Sequence, residues 1–144
     1  MKIQTKPFGE KEIEERQVVS FPHGLFGFQD LHRFALMDAP QPPFYWLQSL
    51  DQVQIAFVLI DPLFFRPDYN PDVDPVELAE IGIHEGDDAL VFTIVTIPQD
   101  SRRMTANLQG PLIINRGTRE GRQFISLNPR WTVRHVIVDE MGSP

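Results

Sequence analysis

The 144-residue chain has no cysteine. It can therefore form no disulfide, no thiolate metal site and no cysteine nucleophile, which fits a protein of the reducing cytoplasm. Long apolar runs are missing as well, because the longest, residues 55–60, is far shorter than a bilayer span. The N-terminal residues Met-Lys-Ile-Gln-Thr-Lys lack the apolar segment of a signal peptide. We therefore expect a cytoplasmic protein that neither crosses a membrane nor is exported.

Positive charge is also scarce, since 13 lysines and arginines face 20 aspartates and glutamates, a net charge of −7. Residues 61–100 hold ten acidic residues and one arginine (−9), whereas residues 101–144 hold seven arginines and three acidic residues (+4). An acidic chain is a poor candidate for direct nucleic-acid binding. Two interpretations stay open: solvated faces and turns, or an acidic surface that attracts a basic protein partner.

Many short runs of β-branched and aromatic residues are separated by 13 prolines and nine glycines. This pattern predicts a mainly β, small single-domain fold over residues 1–144, β-barrel-like, with one short helix and a frayed tail at 142–144. The predicted strands are Lys2–Thr5, 13–19, 34–37, Phe44–Ser49, 55–60, 90–97, 104–106, Leu112–Asn115, 123–127 and 131–138.

The predicted helix runs from Pro75 to Ile81. Asp74 suits the N-cap, Pro75 the first helical position and Glu77 the third, an aspartate version of the capping box, and Gly82 can end the helix. A helix of about two turns is not stable alone and must pack onto the sheet. Its expected apolar side consists of Val76, Leu78, Ala79 and Ile81.

Residues 87–115 form the stretch around which the rest of the chain is organised. The strand predicted at 90–97 has no polar alternation, which is typical of a strand buried at the centre of a sheet. A turn at Gly86, Asp87 and Asp88 is expected to lead into it. We expect Asn107 and Asn115 to satisfy backbone groups at strand ends.

An acidic loop precedes the helix, with Asp68, Asn70, Asp72 and Asp74 at alternate positions. The spacing resembles the opening of an EF-hand calcium loop. However, Val73 stands where the sharp turn requires glycine, and Ala79 stands where a bidentate glutamate is needed. A turn into a capped helix is the better interpretation.

No other motif points to catalysis or to a cofactor. Histidine pairs with metal-ligand spacing, a nucleophile elbow, a glycine-rich phosphate loop and a dinucleotide fingerprint are all missing from the sequence. We therefore expect a protein that is not an enzyme, with no metal and no cofactor. The histidines are His23, His32, His84 and His135.

Six short strings occur in an order and at a spacing that identify a family. They are residues 21–28 (Phe-Pro-His-Gly-Leu-Phe-Gly-Phe), 47–49 (Leu-Gln-Ser), 61–62 (Asp-Pro), 67–69 (Pro-Asp-Tyr), 107–115 (Asn-Leu-Gln-Gly-Pro-Leu-Ile-Ile-Asn) and Gln123. On these strings the chain resembles the bacterial flagellar assembly factor FliW family over nearly its whole length. Phe26 departs from the proline or isoleucine common in that family, and Trp131 falls near its usual tyrosine.

The resemblance implies a protein that works by partner exchange in the cytoplasm. Such a factor binds newly made flagellin and, when flagellin has been exported, binds CsrA, a basic homodimeric repressor of flagellin mRNA translation. It antagonises CsrA allosterically, away from the RNA site, and touches neither nucleic acid nor membrane itself. The sequence does not fix the oligomeric state, and a monomer is favoured.

Two sets of residues are candidates for partner contact. The acidic set is expected to attract basic CsrA, the alternative being a solvated rim around the helix: Asp68, Asp72, Asp74, Glu77 and Glu80. The apolar set is expected to meet amphipathic faces of flagellin, the alternative being burial in the core: Phe26, Phe28, Phe64, Phe65 and Tyr69. Motif residues expected to shape the backbone instead are Gly24, Gly27, Asp61, Pro62, Asn107, Pro111, Asn115 and Gln123.

Two other functions stay open. A β-barrel mouth lined by aromatic residues can hold a small molecule, so the chain could be a ligand-binding protein or an enzyme of unknown substrate. Direct RNA binding through the C-terminal arginines is the other, and it would show a steep salt dependence.

Overall fold

A computed structural model describes residues 1–84 and 89–141 of the chain. The predicted turn at Gly86–Asp88 and the predicted frayed tail at 142–144 lie outside the described residues. The strands are β1 (Lys2–Thr5), β2 (Gly9–Glu12), β3 (Val18–Ser20), β4 (Arg33–Asp38), β5 (Phe44–Ser49), β6 (Ala56–Ile60), β7 (Ala89–Thr96), β8 (Thr105–Ala106), β9 (Leu112–Asn115), β10 (Gly121–Gln123) and β11 (His135–Val136). The α-helices are α1 (Pro75–Glu80) and α2 (Ile137–Met141), and 3₁₀ helices span Glu15–Gln17, Pro62–Phe64 and Ser101–Arg103.

One antiparallel sheet dominates, with strand order β10-β9-β7-β6-β5-β4-β3, and β1 and β2 form a separate hairpin. The prediction of a central strand is confirmed, because β7 pairs with β9 along its first half and with β6 and β8 along its second. At the far edges Ser20 N–H donates to the Arg119 carbonyl at 2.9 Å. The sheet curls towards closure but stays open, so the expected barrel is correct only in a loose sense.

The two faces of the sheet are buried in different ways. The inner face packs on itself as the sheet curls. The outer face is covered at one end by the β1–β2 hairpin and at the other by the loop after β6 together with the C-terminal segment. The inner core consists of Val19, Phe21, Leu25, Leu31, Phe34, Leu47, Leu59, Phe92, Leu112 and Ile114.

The N-terminal predictions are correct for β1 and wrong for the strand at 13–19. Residues Glu15–Gln17 form a 3₁₀ helix because the Gln17 side chain accepts a hydrogen bond from Glu14 N–H at 2.8 Å, which closes a turn. Only Val18–Ser20 is extended there. Strand β2 was not predicted, because its sequence Gly-Glu-Lys-Glu is charged throughout.

The C-terminal predictions need two corrections. Of the strand predicted at 131–138 only His135–Val136 forms a strand, and Ile137–Met141 is a helix. The described residues therefore form two short α-helices where one was predicted. A run of valine and isoleucine resembles a strand, but Ile137 packs as a helical residue against the outer core. The strand predicted at 123–127 ends at Gln123.

Helix α1 starts as predicted. The Asp74 carboxylate accepts a hydrogen bond from Val76 N–H at 2.9 Å, and Pro75 occupies the first turn. The glutamate half of the capping box is not used, because the Glu77 side chain binds Arg122 of β10 instead. Of the expected apolar side, Leu78 and Ile81 pack inward, whereas Val76 is 68% exposed and Ala79 is also exposed.

Two motif glycines differ in a way that a matched pair of variants can test. Gly24 and Gly27 have φ of +67° and +83°, a region that other L-residues adopt at a cost. A Cβ on Gly24 would lie 2.5 Å from the Phe28 carbonyl oxygen, whereas a Cβ on Gly27 would have no neighbour within 4 Å. Gly24 therefore carries a steric requirement in addition to the conformational one.

We predict that Gly27→Ala lowers the free energy of unfolding by about 1–2 kcal/mol, through backbone strain alone. Gly24→Ala should lower it by about 3 kcal/mol or more, because backbone atoms must also move apart. Urea denaturation of both variants measures the difference. Equal losses would show that the close approach at Gly24 relaxes freely.

Candidate partner-binding surfaces

The loop after β6 presents two large apolar side chains to solvent. Asp61 caps a 3₁₀ helix by accepting a hydrogen bond from Leu63 N–H at 2.9 Å, and Pro62 fixes its first turn. Leu63 and Phe64 are 53% and 52% exposed, while the next residue, Phe65, is 1% exposed. A buried anchor therefore holds an exposed pair of apolar residues in a defined conformation.

Tyr69 is the second anchor of this loop. Its hydroxyl donates to the Leu108 carbonyl at 2.7 Å, and its ring packs edge-on against Trp131. Burial raises the pKa of Tyr69, so the phenol stays neutral. The expectation that Phe65 and Tyr69 reach the surface is wrong, because both belong to the outer core. Phe26, Phe28 and Phe64 are exposed.

Arg66 sits at the centre of an ion network over the Trp131 ring. Its guanidinium pairs with Asp68 at 2.7 Å and with Glu140 of α2 at 2.6 Å. Arg130 also lies over this ring and pairs with Asp68 at 2.9 Å. The hydrogen bond from Arg66 holds the pKa of Asp68 below its usual value, and the same bond raises the pKa of Arg66.

Glu140 also accepts a hydrogen bond from His135. The Nε2 atom of His135 accepts from Thr132 N–H at 2.9 Å, so the neutral ring carries its proton on Nδ1 and donates it to Glu140. Burial raises the pKa of Glu140, but hydrogen bonds from His135 and Arg66 outweigh it and lower that pKa overall. The ion pair between Arg66 and Glu140 fastens α2 to the loop after β6.

Arg122 fastens α1 in the same manner. Its two terminal nitrogens bind Glu77 at 2.5 Å and Glu80 at 2.6 Å, across from β10 to the helix. With Asp68 bound to Arg66 and Arg130, three of the five acidic candidates face arginines of the same chain. Asp74 serves as the helix cap.

Asp72 differs from these four acidic residues. It is exposed, it has a left-handed φ of +50°, and no ion pair reaches its carboxylate among residues 1–84 and 89–141. Its N–H donates to the Asn70 side chain at 3.1 Å, which fixes the turn. The acidic surface expected from the sequence is therefore smaller than its charge count suggests.

The motif asparagines bind backbone groups. Asn107 accepts hydrogen bonds from Gln109 N–H at 3.1 Å and Gly110 N–H at 2.9 Å. Asn115 donates to the Ile81 carbonyl at 3.0 Å and accepts from two N–H groups of the β9–β10 turn. These contacts are the kind that a backbone-shaping role requires.

Gln123 joins three of the motif strings. Its side-chain oxygen accepts from Phe26 N–H at 2.8 Å, and its side-chain nitrogen donates to the Gly110 carbonyl at 3.0 Å. The residue is 6% exposed, so both bonds are sheltered from water. Pro111 is buried next to them, and its carbonyl accepts from Phe124 N–H at 2.9 Å. This network positions the loop that carries Phe26.

With this geometry established, comparison with known proteins identifies the family. The family model described as FliW protein matches residues 2–137. The chain belongs to the FliW family. The flagellar assembly factor FliW of Treponema pallidum (strain Nichols) is 48% identical over 142 residues, covering 99% of this chain and 95% of that protein. That of Leptospira interrogans (strain 56601) is 46% identical over 141 residues, covering 96% and 94%.

A FliW structure shows the same fold. The crystal structure of a flagellar assembly factor FliW superposes with a TM-score of 0.85 at 35% identity, covering 95% of this chain and 96% of that chain. The resemblance drawn from the six strings is thus confirmed at the level of family and fold. The chain is a member of a family of flagellar assembly factors.

Other features of this FliW-family chain bear on the alternatives. Among the described residues, no cluster of histidine and carboxylate side chains could hold a metal ion, and no helix has the length and apolarity to cross a membrane. An apolar groove of about 210 Å³ lies on the outer face of the sheet, between its two coverings. The groove is lined by Ala39, Gln41, Phe44, Trp46, Val58, Ile97, Ser101 and Met104.

Sequence reasoning did not single out several exposed apolar residues, among them Leu63, Ile125 and Leu127, which are 53%, 61% and 65% exposed. The Asp-Pro start of a short helix before Leu63 is a signal that could have been used. Ile125 and Leu127 were placed in a predicted strand whose alternation does not reveal which face is buried.

Asn107 provides a test of the backbone-shaping role. We predict that Asn107→Ala lowers the free energy of unfolding by about 1–2 kcal/mol, because two N–H groups lose their acceptor. Asn107→Asp, which keeps an acceptor oxygen in place, is the control and should lose clearly less. Thermal and urea unfolding measure both. An Asn107→Ala protein as stable as the wild type would contradict the role.

Glu140 provides a test of the ion network. Its folded-state pKa lies below the usual 4.5, so its contribution to stability is present above about pH 4.5 and is lost as the pH falls through the folded value. We predict that Glu140→Gln lowers the free energy of unfolding by about 2 kcal/mol at pH 7 and by progressively less as the pH is lowered below about 4.5. Urea denaturation at several pH values measures this. A difference independent of pH would contradict the assignment.

Proposed function

We propose that this chain binds newly made flagellin in the cytoplasm and, when flagellin has been exported, binds CsrA and antagonises it allosterically. Translation of flagellin mRNA is thereby released from repression. The role requires no catalysis and no cofactor. Because this chain lowers the affinity of CsrA for RNA in this proposal, thermodynamic linkage requires RNA to lower the affinity of CsrA for this chain by the same factor.

The observation that carries the proposal is the exposed pair Leu63 and Phe64. Exposure of large apolar side chains to water is unfavourable, and an adjacent pair at about half exposure on a capped, anchored helix is typical of a protein-docking feature. The backbone is ordered before binding, so little conformational entropy remains to be lost. Flagellin that has not yet assembled offers the amphipathic helical faces that such residues can contact.

Phe26 and Phe28 extend the apolar set on a second loop. They are 50% and 36% exposed, and the backbone of Phe26 is fixed by Gln123. Phe28 packs edge-on against Phe57, so part of its ring is committed to the fold. We place Phe26 and Phe64 among the flagellin contacts, and we drop Phe65 and Tyr69 because they are buried.

The charge pattern supports a basic second partner. The net charge of −7 gives a long-range attraction to a cationic dimer such as CsrA, which raises the association rate. The ion pairs of the chain weigh against direct RNA binding, because four of the C-terminal arginines pair with carboxylates of the chain itself. These are Arg102, Arg103, Arg122 and Arg130.

The test is binding of the purified chain to monomeric flagellin and to CsrA from the same bacterium, measured by calorimetry at moderate salt. We expect both to bind. Leu63→Ser combined with Phe64→Ser should weaken flagellin binding at least about tenfold, because two apolar contacts are lost. Its stability should change little, since both side chains are half exposed.

The matched control is Val53→Ser combined with Ile97→Ser, which removes two apolar side chains that are 43% and 52% exposed in other parts of the fold. This variant should bind flagellin like the wild type. If the wild-type chain bound neither protein, the proposed function would be wrong. If both double variants bound flagellin normally, the Leu63–Phe64 pair would not be the contact.

A further inference from the structure

The segment that follows β10 exposes two aliphatic side chains on its outer side and buries a serine between them. Phe124 and Ser126 point inward and are 1% and 8% exposed, whereas Ile125 and Leu127 point outward and are 61% and 65% exposed. A strand with one solvated face places polar residues outside and apolar residues inside. Here a serine is buried and the two large aliphatic residues on either side of it are in water.

This exposure does not arise from a loose backbone. Ser126 N–H donates to the Gln109 carbonyl at 2.8 Å, and Leu127 N–H donates to the Asp72 carbonyl at 2.7 Å. The Ser126 hydroxyl accepts from Asn128 N–H at 3.1 Å, which closes the turn. The two aliphatic side chains are therefore displayed by a segment that is hydrogen-bonded on both sides, an arrangement suited to rigid docking.

A negative charge without a partner borders this apolar pair. The backbone carbonyl of Asp72 accepts a hydrogen bond from Leu127 N–H. The exposed carboxylate of Asp72 forms no ion pair with any described residue. Arg122 is held by Glu77 and Glu80 and does not pair with Asp72. Asp68, Glu77 and Glu80 are thus paired within the chain, whereas no described cation pairs with the Asp72 carboxylate, which is left to meet a cation from outside.

We infer that Ile125, Leu127 and Asp72 form one docking surface for a protein segment that carries apolar side chains next to a lysine or arginine. An apolar pair beside an unpaired carboxylate is complementary to such a cationic amphipathic segment. Of the two partners in the proposed function, on which this inference rests, basic CsrA has that chemistry. The surface is therefore the CsrA contact, separate in sequence and in anchoring from the Leu63–Phe64 pair.

The experiment compares CsrA and flagellin binding for two variants. Ile125→Ser combined with Leu127→Ser should weaken CsrA binding at least about tenfold and leave flagellin binding unchanged. Asp72→Asn should weaken CsrA binding about threefold at about 50 mM salt, with the effect disappearing at about 500 mM, because screening removes a single exposed charge contact. Far-UV circular dichroism and urea midpoints verify that the variants are folded.

The Leu63→Ser, Phe64→Ser protein is the matched control, and it should bind CsrA like the wild type. CsrA bound by the wild type and equally well by the Ile125→Ser, Leu127→Ser variant would overturn the inference while leaving the proposed function intact. An Ile125→Ser, Leu127→Ser variant that lost flagellin binding and retained CsrA binding would also overturn it. A wild-type chain that binds neither protein would instead refute the proposed function.

Discussion

The indole of Trp131 joins the two halves of this chain, and the exposed surfaces depend on it. Its ring is 1% exposed, and its N–H donates to the Asn70 carbonyl at 2.7 Å. The ring also contacts Tyr69, Arg66, Arg130 and His135. A residue from the arginine-bearing end of the sequence thereby fixes the acidic loop after β6, and the positions of Leu63, Phe64 and Asp72 follow from that loop.

Ion pairs between the two segments make the strong charge asymmetry of the sequence weaker on the folded surface. Arginines of the C-terminal half lie against acidic residues of the preceding segment: Arg122 on Glu77 and Glu80, and Arg130 on Asp68. Pairs with this degree of exposure add little stability each. Their main consequence is to leave Asp72 as an acidic residue of this segment whose charge is not balanced locally.

The two proposed surfaces share one design. In each, exposed apolar side chains are adjacent in the chain to buried residues that hold the backbone in place, Phe65 in one case and Phe124 and Ser126 in the other. Binding to such surfaces costs little ordering entropy. A small domain can in this way offer separate, preformed contacts to the two proposed partners, one helical and amphipathic, the other cationic.

Much of the local structure was determined by the sequence itself. The buried strand β7, the Asp74–Pro75 start of α1 and the family strings all depend on residues close together in the chain, so their signals are readable without the fold. The family motifs were sufficient to identify the family because six short strings occur in a fixed order over most of the chain. The boundaries of the terminal elements were less readable, because the valine and isoleucine of residues 136–138 fit a strand and a helix equally well.

The tertiary structure decided which side chains face water and which charges are free. Phe64 and Phe65 are neighbours of the same type, yet one is half exposed and the other buried, because only long-range packing against Trp131 and Ile137 distinguishes them. Glu77 and Asp72 are likewise equivalent by charge count, but Arg122 reaches the first and no described cation pairs with the second. Burial and pairing depend on contacts between distant parts of the chain, and a linear sequence does not display those contacts.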